Sequence, residues 1–394
     1  MSRKKRLIFV FVTIAFSAFV FEAVTRLAFS IPQIGKRLEA NEDYTYLRNW
    51  VREHQKAGMA TYYSFDMHDS SKGWKPRPNL KDEKAWDDKI LNTNSKGLRG
   101  KKDFPYPKNK EKLRILILGD SFTFGDDVGD DETYSAYLQA MLPDAEIINM
   151  GVHGYGHDQM LILFKEEGVK YEPDIVILGF LQLDMSRNTL DFRDYAKPRF
   201  VLEKGELKLT GIPVPRPEEI LQWDWARPRV IDLFSLLRHR IQKTLGLQQR
   251  EMEKITTAIL MELIRSAEII GALPILAYLP RGKEIAMDIA VTDDEKYMFS
   301  ICRRLQKKAK CFSTRPYFAE KIAQGQTFKS GGHWEPAGHL VVAEAIKRYL
   351  IAEGHVLGPE RTENQRPGTG RHPAFDESNH GSIDTARSFF LDEN

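Results

Sequence analysis

Cysteine is nearly absent from this chain: 394 residues hold two, Cys302 and Cys311, which is too few for a disulfide framework or a thiolate metal cluster. The two bracket the helix-end run RRLQKKAK, a pattern that fits either a helix-to-strand disulfide or two free thiols. An excess of one charge is missing as well. Lys and Arg number 58 against 55 for Asp and Glu, a formal charge of +3, so there is no electrostatic footprint for nucleic acid. Metal-binding spacing is lacking too: HGYGH at 153–157 could reach toward His333, but no acidic or thiol cluster accompanies it, and no metal or cofactor is expected. No internal repeat is visible.

Long apolar runs are scarce, with one exception. SRKKR precedes LIFVFVTIAFSAFVF, uncharged from Leu7 to Phe21. Glu22 lies four residues before Arg26, so the two can pair on one helix face at a membrane interface, and the run can extend past them as a single-pass anchor. A cleaved signal peptide ending near Ala28-Phe29-Ser30 is the alternative. On either reading the basic cluster stays in the cytoplasm and the body of the protein is exported. Residues 1–30 are thus expected to be anchor or signal, in the cell membrane, with the rest of the chain extracytoplasmic.

Residues 31–112 read as a helical stalk followed by an irregular cap, GWKPRPNL and ILNTNSKGLRG, rich in Gly, Pro and Asn. Regular alternation begins at 113. LRILILGDS, AEIINMG, DIVILGFL, LPILAYLP and CFSTRPYF read as buried strands, separated by the helical runs DETYSAYLQAML, DQMLILFKEEGV, EKITTAILMELIRSAEIIGA and DDEKYMFSICRRLQKKAK. HLVVAEAIKRYL closes the series. This order predicts an α/β domain over 113–355, a parallel sheet sandwiched by helices. An insertion at 190–250 holds a hairpin turning at Lys204-Gly205 and a helical flap. From 356 the chain lacks apolar periodicity and is expected to be disordered.

In an open parallel sheet, ligands bind beyond the carboxyl ends of the strands. Four polar or glycine-rich loops fall there: GDS at 119–121, GVHGYG at 151–156, LQLDMSRN at 181–188 and GGHWEPAGH at 331–339. Together with GWKPRPN, NSKGLRG and PDIVILGF, in this order, they resemble the SGNH (GDSL-type) hydrolase superfamily, most of all its membrane-anchored bacterial members. The resemblance implies a flavodoxin-like fold with Ser121 as nucleophile and His333 as base. It also implies the backbone N–H groups of Ser121 and Gly154 as oxyanion donors. A serine hydroxyl needs a base to take its proton, and the oxyanion it creates needs preorganised donors, so the chemistry is coherent.

Two positions depart from the family pattern. The acid usually found two residues before the histidine is Gly331 here, and the usual third oxyanion donor, an Asn, is Leu183. Gln182 and Asn188 are nearby amides, neither in register. With Gly331 and Gly332 ahead of it, His333 finds no neighbouring side chain for its Nδ1–H, so a backbone carbonyl of the glycine turn is expected to orient a slow Ser121-His333 dyad. His339 is expected to be packed in the closing helix. The activity implied is that of an esterase or O-acyltransferase on acyl, foremost acetyl, esters of cell-envelope or secreted polysaccharide. Its partners would be an acylated carbohydrate or small ester, the membrane, and a polysaccharide-modification complex. A catalytically silent glycan-binding or export-complex scaffold and a lipase are the rival readings.

Overall fold

Five short runs of β-branched and aliphatic residues pair edge to edge in the computed structural model, which describes residues 2–31, 42–54, 64–287, 291–304 and 308–357. Ahead of them come helices α1 (Arg3–Ser30) and α2 (Glu42–His54) and two small antiparallel ribbons, β1 (Asp66–Asp69) with β2 (Gly73–Pro76) and β3 (Glu83–Ala85) with β4 (Lys89–Leu91). The main domain then runs β5 (Arg114–Gly119), α3 (Ser121–Phe124), α4 (Tyr134–Met141), β6 (Glu146–Gly151), α5 (His157–Glu166), β7 (Ile175–Phe180) and α6 (Leu183–Arg187). The insertion follows as β8 (Arg199–Glu203), β9 (Glu206–Thr210), α7 (Pro217–Ala226) and α8 (Arg229–Thr244). The chain then continues through α9 (Leu247–Ile269), β10 (Leu273–Tyr278), α10 (Gly282–Ile285), α11 (Asp293–Arg304), β11 (Lys310–Ser313), α12 (Arg315–Ala323) and α13 (Pro336–Ala352).

The sheet has the order β11-β10-β7-β5-β6, all parallel, with Ile115 opposite both Ile147 and Ile175. Written by strand number within the sheet this is 2-1-3-4-5, the flavodoxin-like order, whose switch point lies between its first and third strands. Every residue of β5, β6 and β7 is buried, which is why these strands read as unbroken apolar runs and not as alternating ones. Leu116, Leu118, Val176 and Leu178 share one core with Phe164 of α5 and Ile259 and Leu263 of α9. Ile115 and Ile117 point the other way and are fully buried. Between α4 and α13, the Tyr134 N–H donates to His339 Nδ1 at 3.2 Å, so His339 is a packed core residue.

The inserted hairpin turns at Lys204 and Gly205, both with positive φ (52° and 88°), the conformation of a two-residue type I′ turn. α2 packs where a stalk was expected to project: Trp50 and Val51 are buried in the main core. Cys302 and Cys311 are joined as a disulfide, which decides between the two readings of that pair. α1, 28 residues, is long and apolar enough to cross a membrane. Residues 1–349 form one compact unit. The second, 350–394, is described over 350–357 as the end of α13 and a short turn, and most of the expected disordered tail lies outside the described residues.

Candidate active site

The loop after β5 is a tight strand-to-helix turn. Asp120 caps α3, its Oδ1 accepting from the Phe122 N–H at 3.0 Å, and this places Ser121 at the first helical position with its side chain turned into a cleft. The turn lies so close to β6 that a Cβ on Gly151 would stand 2.3 Å from the backbone nitrogen of Phe124. Only glycine permits that approach.

Ser121 Oγ is 2.8 Å from His333 Nε2. For the hydroxyl to donate to that nitrogen, the proton of the neutral ring must sit on Nδ1, and there it meets Asp127 Oδ2 at 3.2 Å. The carbonyl expected to orient His333 is therefore not what the ring finds: a carboxylate supplied from the loop after α3 does so instead. Asp127 reaches back because its backbone is left-handed, φ 67°, at the end of the turn begun by Gly125. The signal in the sequence was the pair Asp126-Asp127 in FGDDVG, six residues beyond the serine, a spacing that no family motif singles out. The imidazole also lies against a ring, itself backed by a second. Phe122 lies 5.0 Å from it and 4.8 Å from Trp334, whose Nε1–H donates to the Pro280 carbonyl at 3.0 Å.

Gly154 sits across the cleft in the left-handed region, φ 75°, and a Cβ there would meet Asp194 Oδ2 at 2.0 Å. Its loop is pinned from both sides. Trp74 Nε1–H donates to the His153 carbonyl at 3.0 Å, and His153 Nε2 pairs with Asp66 Oδ2 at 2.6 Å. Burial alone would lower the His153 pKa, but the Asp66 charge and hydrogen bond prevail and push it up to about 9, so His153 is an imidazolium at neutral pH. The amides of Ser121 and Gly154 donate no hydrogen bond among the described residues, and both residues line the cleft. They are available to a developing oxyanion.

At the position of the usual Asn, Leu183 lines the cleft and is partly exposed, offering no donor. Asn188 cannot replace it, because its amide is spent on Thr256 Oγ1 (2.8 Å), His157 Nδ1 (3.2 Å) and the Asp158 N–H (3.1 Å) in the interior. His157 is thereby used in the core, and burial carries its pKa down to about 3. The polar side chain that α6 does bring to the cleft is Arg187, one Nη donating to Asp120 Oδ2 (2.9 Å), Asp184 Oδ1 (2.6 Å) and the Tyr155 carbonyl (2.9 Å). Asp126 is a further group outside the sequence reading. It is buried on the cleft wall with Oδ2 4.0 Å from His333 Nε2, and its Oδ1 has no hydrogen-bond partner among the described residues. Burial pushes its pKa up to about 6.

The cleft has a volume of about 340 Å³. Its wall carries Arg193, Arg281 and Lys283 alongside Arg187, and the bulky apolar side chains on it are Phe122 and Leu183.

The five-stranded parallel sheet, in flavodoxin-like order, thus carries Ser121, His333 and Asp127 in a row beyond the carboxyl ends of its strands. No protein-family model matches the chain, and no curated protein matches it. Among solved structures it is similar to a GDSL-like lipase from Bacteroides thetaiotaomicron, with 15% identity over 64% of this chain and 93% of that one, at a TM-score of 0.35. It is also similar to a catalytic mutant of an acetylxylan esterase from Geobacillus stearothermophilus, with 15% identity over 61% and 95% at a TM-score of 0.36. A third is an α/β hydrolase from the metagenome of Lake Arreo, with 16% identity over 63% and 97% at 0.38.

Proposed function

We propose that this protein is a membrane-anchored, exported SGNH-type serine esterase or O-acyltransferase acting on acyl esters, foremost acetyl, of cell-envelope or secreted polysaccharide. The observation that carries the reading is the row Ser121 Oγ, His333, Asp127 at 2.8 and 3.2 Å, beside two amides with no other partner among the described residues. Ser121 Oγ attacks the ester carbonyl as His333 Nε2 takes its proton, and the negative charge on the carbonyl oxygen falls to the Ser121 and Gly154 N–H groups. His333 then returns the proton to the leaving sugar oxygen as the C–O bond breaks, leaving an acyl-Ser121. Water completes hydrolysis, or a second sugar hydroxyl completes transfer, again with His333 as base. Asp127 holds the Nδ1 proton in place throughout and stabilises the imidazolium.

A cleft edged by charged side chains, with Phe122 and Leu183 as its bulky apolar ones, supports a carbohydrate ester over a long-chain lipid, which needs a continuous apolar channel. The basic cluster that opens α1 supports a cytoplasmic N-terminus, and the Cys302–Cys311 bond supports an oxidising compartment for the domain. The test is labelling of the full-length protein by a fluorophosphonate, which reports an activated serine. Labelling of the wild type and none of Ser121→Ala is expected. Absence of labelling in the wild type, with retained glycan binding, would make the chain a silent scaffold.

A further inference from the structure

The insertion carries an apolar surface that the active site does not use. On α8, Ile231, Phe234, Leu237 and Ile241, with Leu245 capping its end, follow one another at intervals of three or four residues, and so lie along one side of the helix. They are between 45% and 62% exposed, whereas Asp232 and Leu236 on the other side are buried against the domain. Five large side chains in one uncovered stripe are unusual on a water-facing surface. Arg238 and Lys243 are exposed on the same helix, which makes it basic as well as amphipathic.

Its position relative to α1 is fixed by side-chain capping. The Glu22 carboxylate, which ends the uncharged run, accepts from the Arg229 N–H at 2.9 Å through one oxygen and from the Val230 N–H at 3.0 Å through the other. Arg26, paired with Glu22 at 2.6 Å, donates to the Arg227 carbonyl at 3.0 Å. Beneath this junction, Asp224 binds Arg48 and Arg229, and Asp232 binds Arg227 and Arg229. The start of α8 is therefore held at the level along α1 where apolar residues give way to charged ones, which is the hydrocarbon–headgroup boundary for a helix in a bilayer.

We infer that α8 lies in the membrane interface, its Ile231-Phe234-Leu237-Ile241-Leu245 face sunk into the lipid surface, so that anchor and insertion form one membrane-binding unit. The inference rests on α1 being membrane-inserted, as in the proposed function. Lipid is the occupant because the stripe begins at a helix that would itself stand in lipid, and because its cations suit anionic headgroups. Arg238, inside the stripe, can bury its methylenes and keep its guanidinium at the phosphates. A helix held in this way would stop the domain from swinging freely about its anchor.

The two native cysteines are tied in a disulfide, so an introduced cysteine is the sole thiol of the full-length chain. Phe234→Cys, Ile241→Cys and Lys243→Cys would each be labelled with the environment-sensitive NBD fluorophore. The proteins would be reconstituted in phosphatidylethanolamine and phosphatidylglycerol vesicles with or without brominated acyl chains. The labels at 234 and 241 should be blue-shifted and quenched by the brominated chains at least about threefold more than the label at 243, as expected for side chains roughly 5–10 Å deep. In a Phe234→Glu, Ile241→Glu background, flotation through α1 should persist while a label on Leu237→Cys loses its quenching. A protein that floats with vesicles but leaves positions 234 and 241 unquenched overturns the inference alone. A blue shift without bromine quenching, accompanied by a doubled mass, means that a second copy covers the stripe and overturns it too. Failure to float at all removes the anchoring itself, and the inference with it.

Discussion

The two sides of the catalytic cleft are built differently. On the serine side everything is packed: β5 and β6 are buried throughout, the turn at Ser121 passes over Gly151 with no room for a methyl group, and the Gly154 loop is pinned by Trp74 and by the His153-Asp66 pair. On the histidine side the chain is open. A Cβ at Gly331 or Gly332 would meet nothing within 4 Å, and His333 is held by the Phe122 ring and a half-exposed Asp127. Nucleophile and oxyanion donors are thus fixed by close packing, whereas the base is placed by a few polar and ring contacts. Substitutions on the first side should be felt as lost stability, and on the second as lost rate.

The largest expected contrast is between two glycines. Gly151→Ala must displace the backbone of the Ser121 turn and should destabilise the protein by about 3 kcal/mol, at the upper end of overpacking effects. Gly331→Ala, in open space, should stay within about 0.5 kcal/mol. Urea denaturation of the two variants checks this, and equal losses would break the comparison.

Next is Asp126 on the packed side. Its folded-state pKa of about 6 lies above the ordinary carboxylate value of 3.8 because burial penalises the anion. A raised pKa means the folded state keeps the proton more tightly. The stability linked to it is fully present below pH 3.8 and is lost as pH rises through about 6. Asp126→Asn cannot ionise, so over that window the wild type should lose on the order of 3 kcal/mol relative to the variant. Parallel melting curves at pH 4 and pH 7 measure the difference, and a constant gap between the two proteins would contradict it.

On the open side, Asp127→Ala should leave folding almost untouched, since the residue is half exposed, and lower kcat about 100-fold, roughly 2.7 kcal/mol of barrier. That is below the ~10⁴ associated with a fully buried triad acid, because water screens this carboxylate. Turnover of 4-nitrophenyl acetate together with the melting temperature separates the two effects.

The contrast between the sides also decides what could be seen in the sequence. The sheet, its five strands and the hairpin turn at Lys204-Gly205 were legible, because buried parallel strands read as apolar runs and turn glycines mark required geometry, whereas the pairing of Ser121 with His333 came only as what the family resemblance implied. Asp127 was not legible. Its contact with His333 spans 206 residues and depends on a left-handed backbone at a non-glycine position, which no local pattern announces. Arg187 was hidden for a related reason. It sits in a five-residue helix where the register, and not the residue type, selects which side chain enters the cleft. The docking of α2 was missed although its buried residues Tyr44, Trp50, Val51 and His54, with Leu47 packed against the core, recur at helical spacing.

The smallest expected effect is also the most discriminating. Had His333 been oriented by a backbone carbonyl, Gly331→Asp would supply the missing charge and raise turnover at least about tenfold. With Asp127 already on Nδ1 at 3.2 Å, the second carboxylate has no proton left to accept and adds only a screened interaction. Gly331→Asp in the wild type should therefore change kcat by less than about threefold, under 0.7 kcal/mol. In an Asp127→Ala background the same substitution has a vacant Nδ1 to serve and open space to serve it from, and about tenfold of the lost rate should return. A large gain in both backgrounds would mean that Asp127 does not orient the base. A gain in neither would mean that the Gly331-Gly332 turn cannot bring residue 331 to the ring, and that the Asp127 loop alone can hold it.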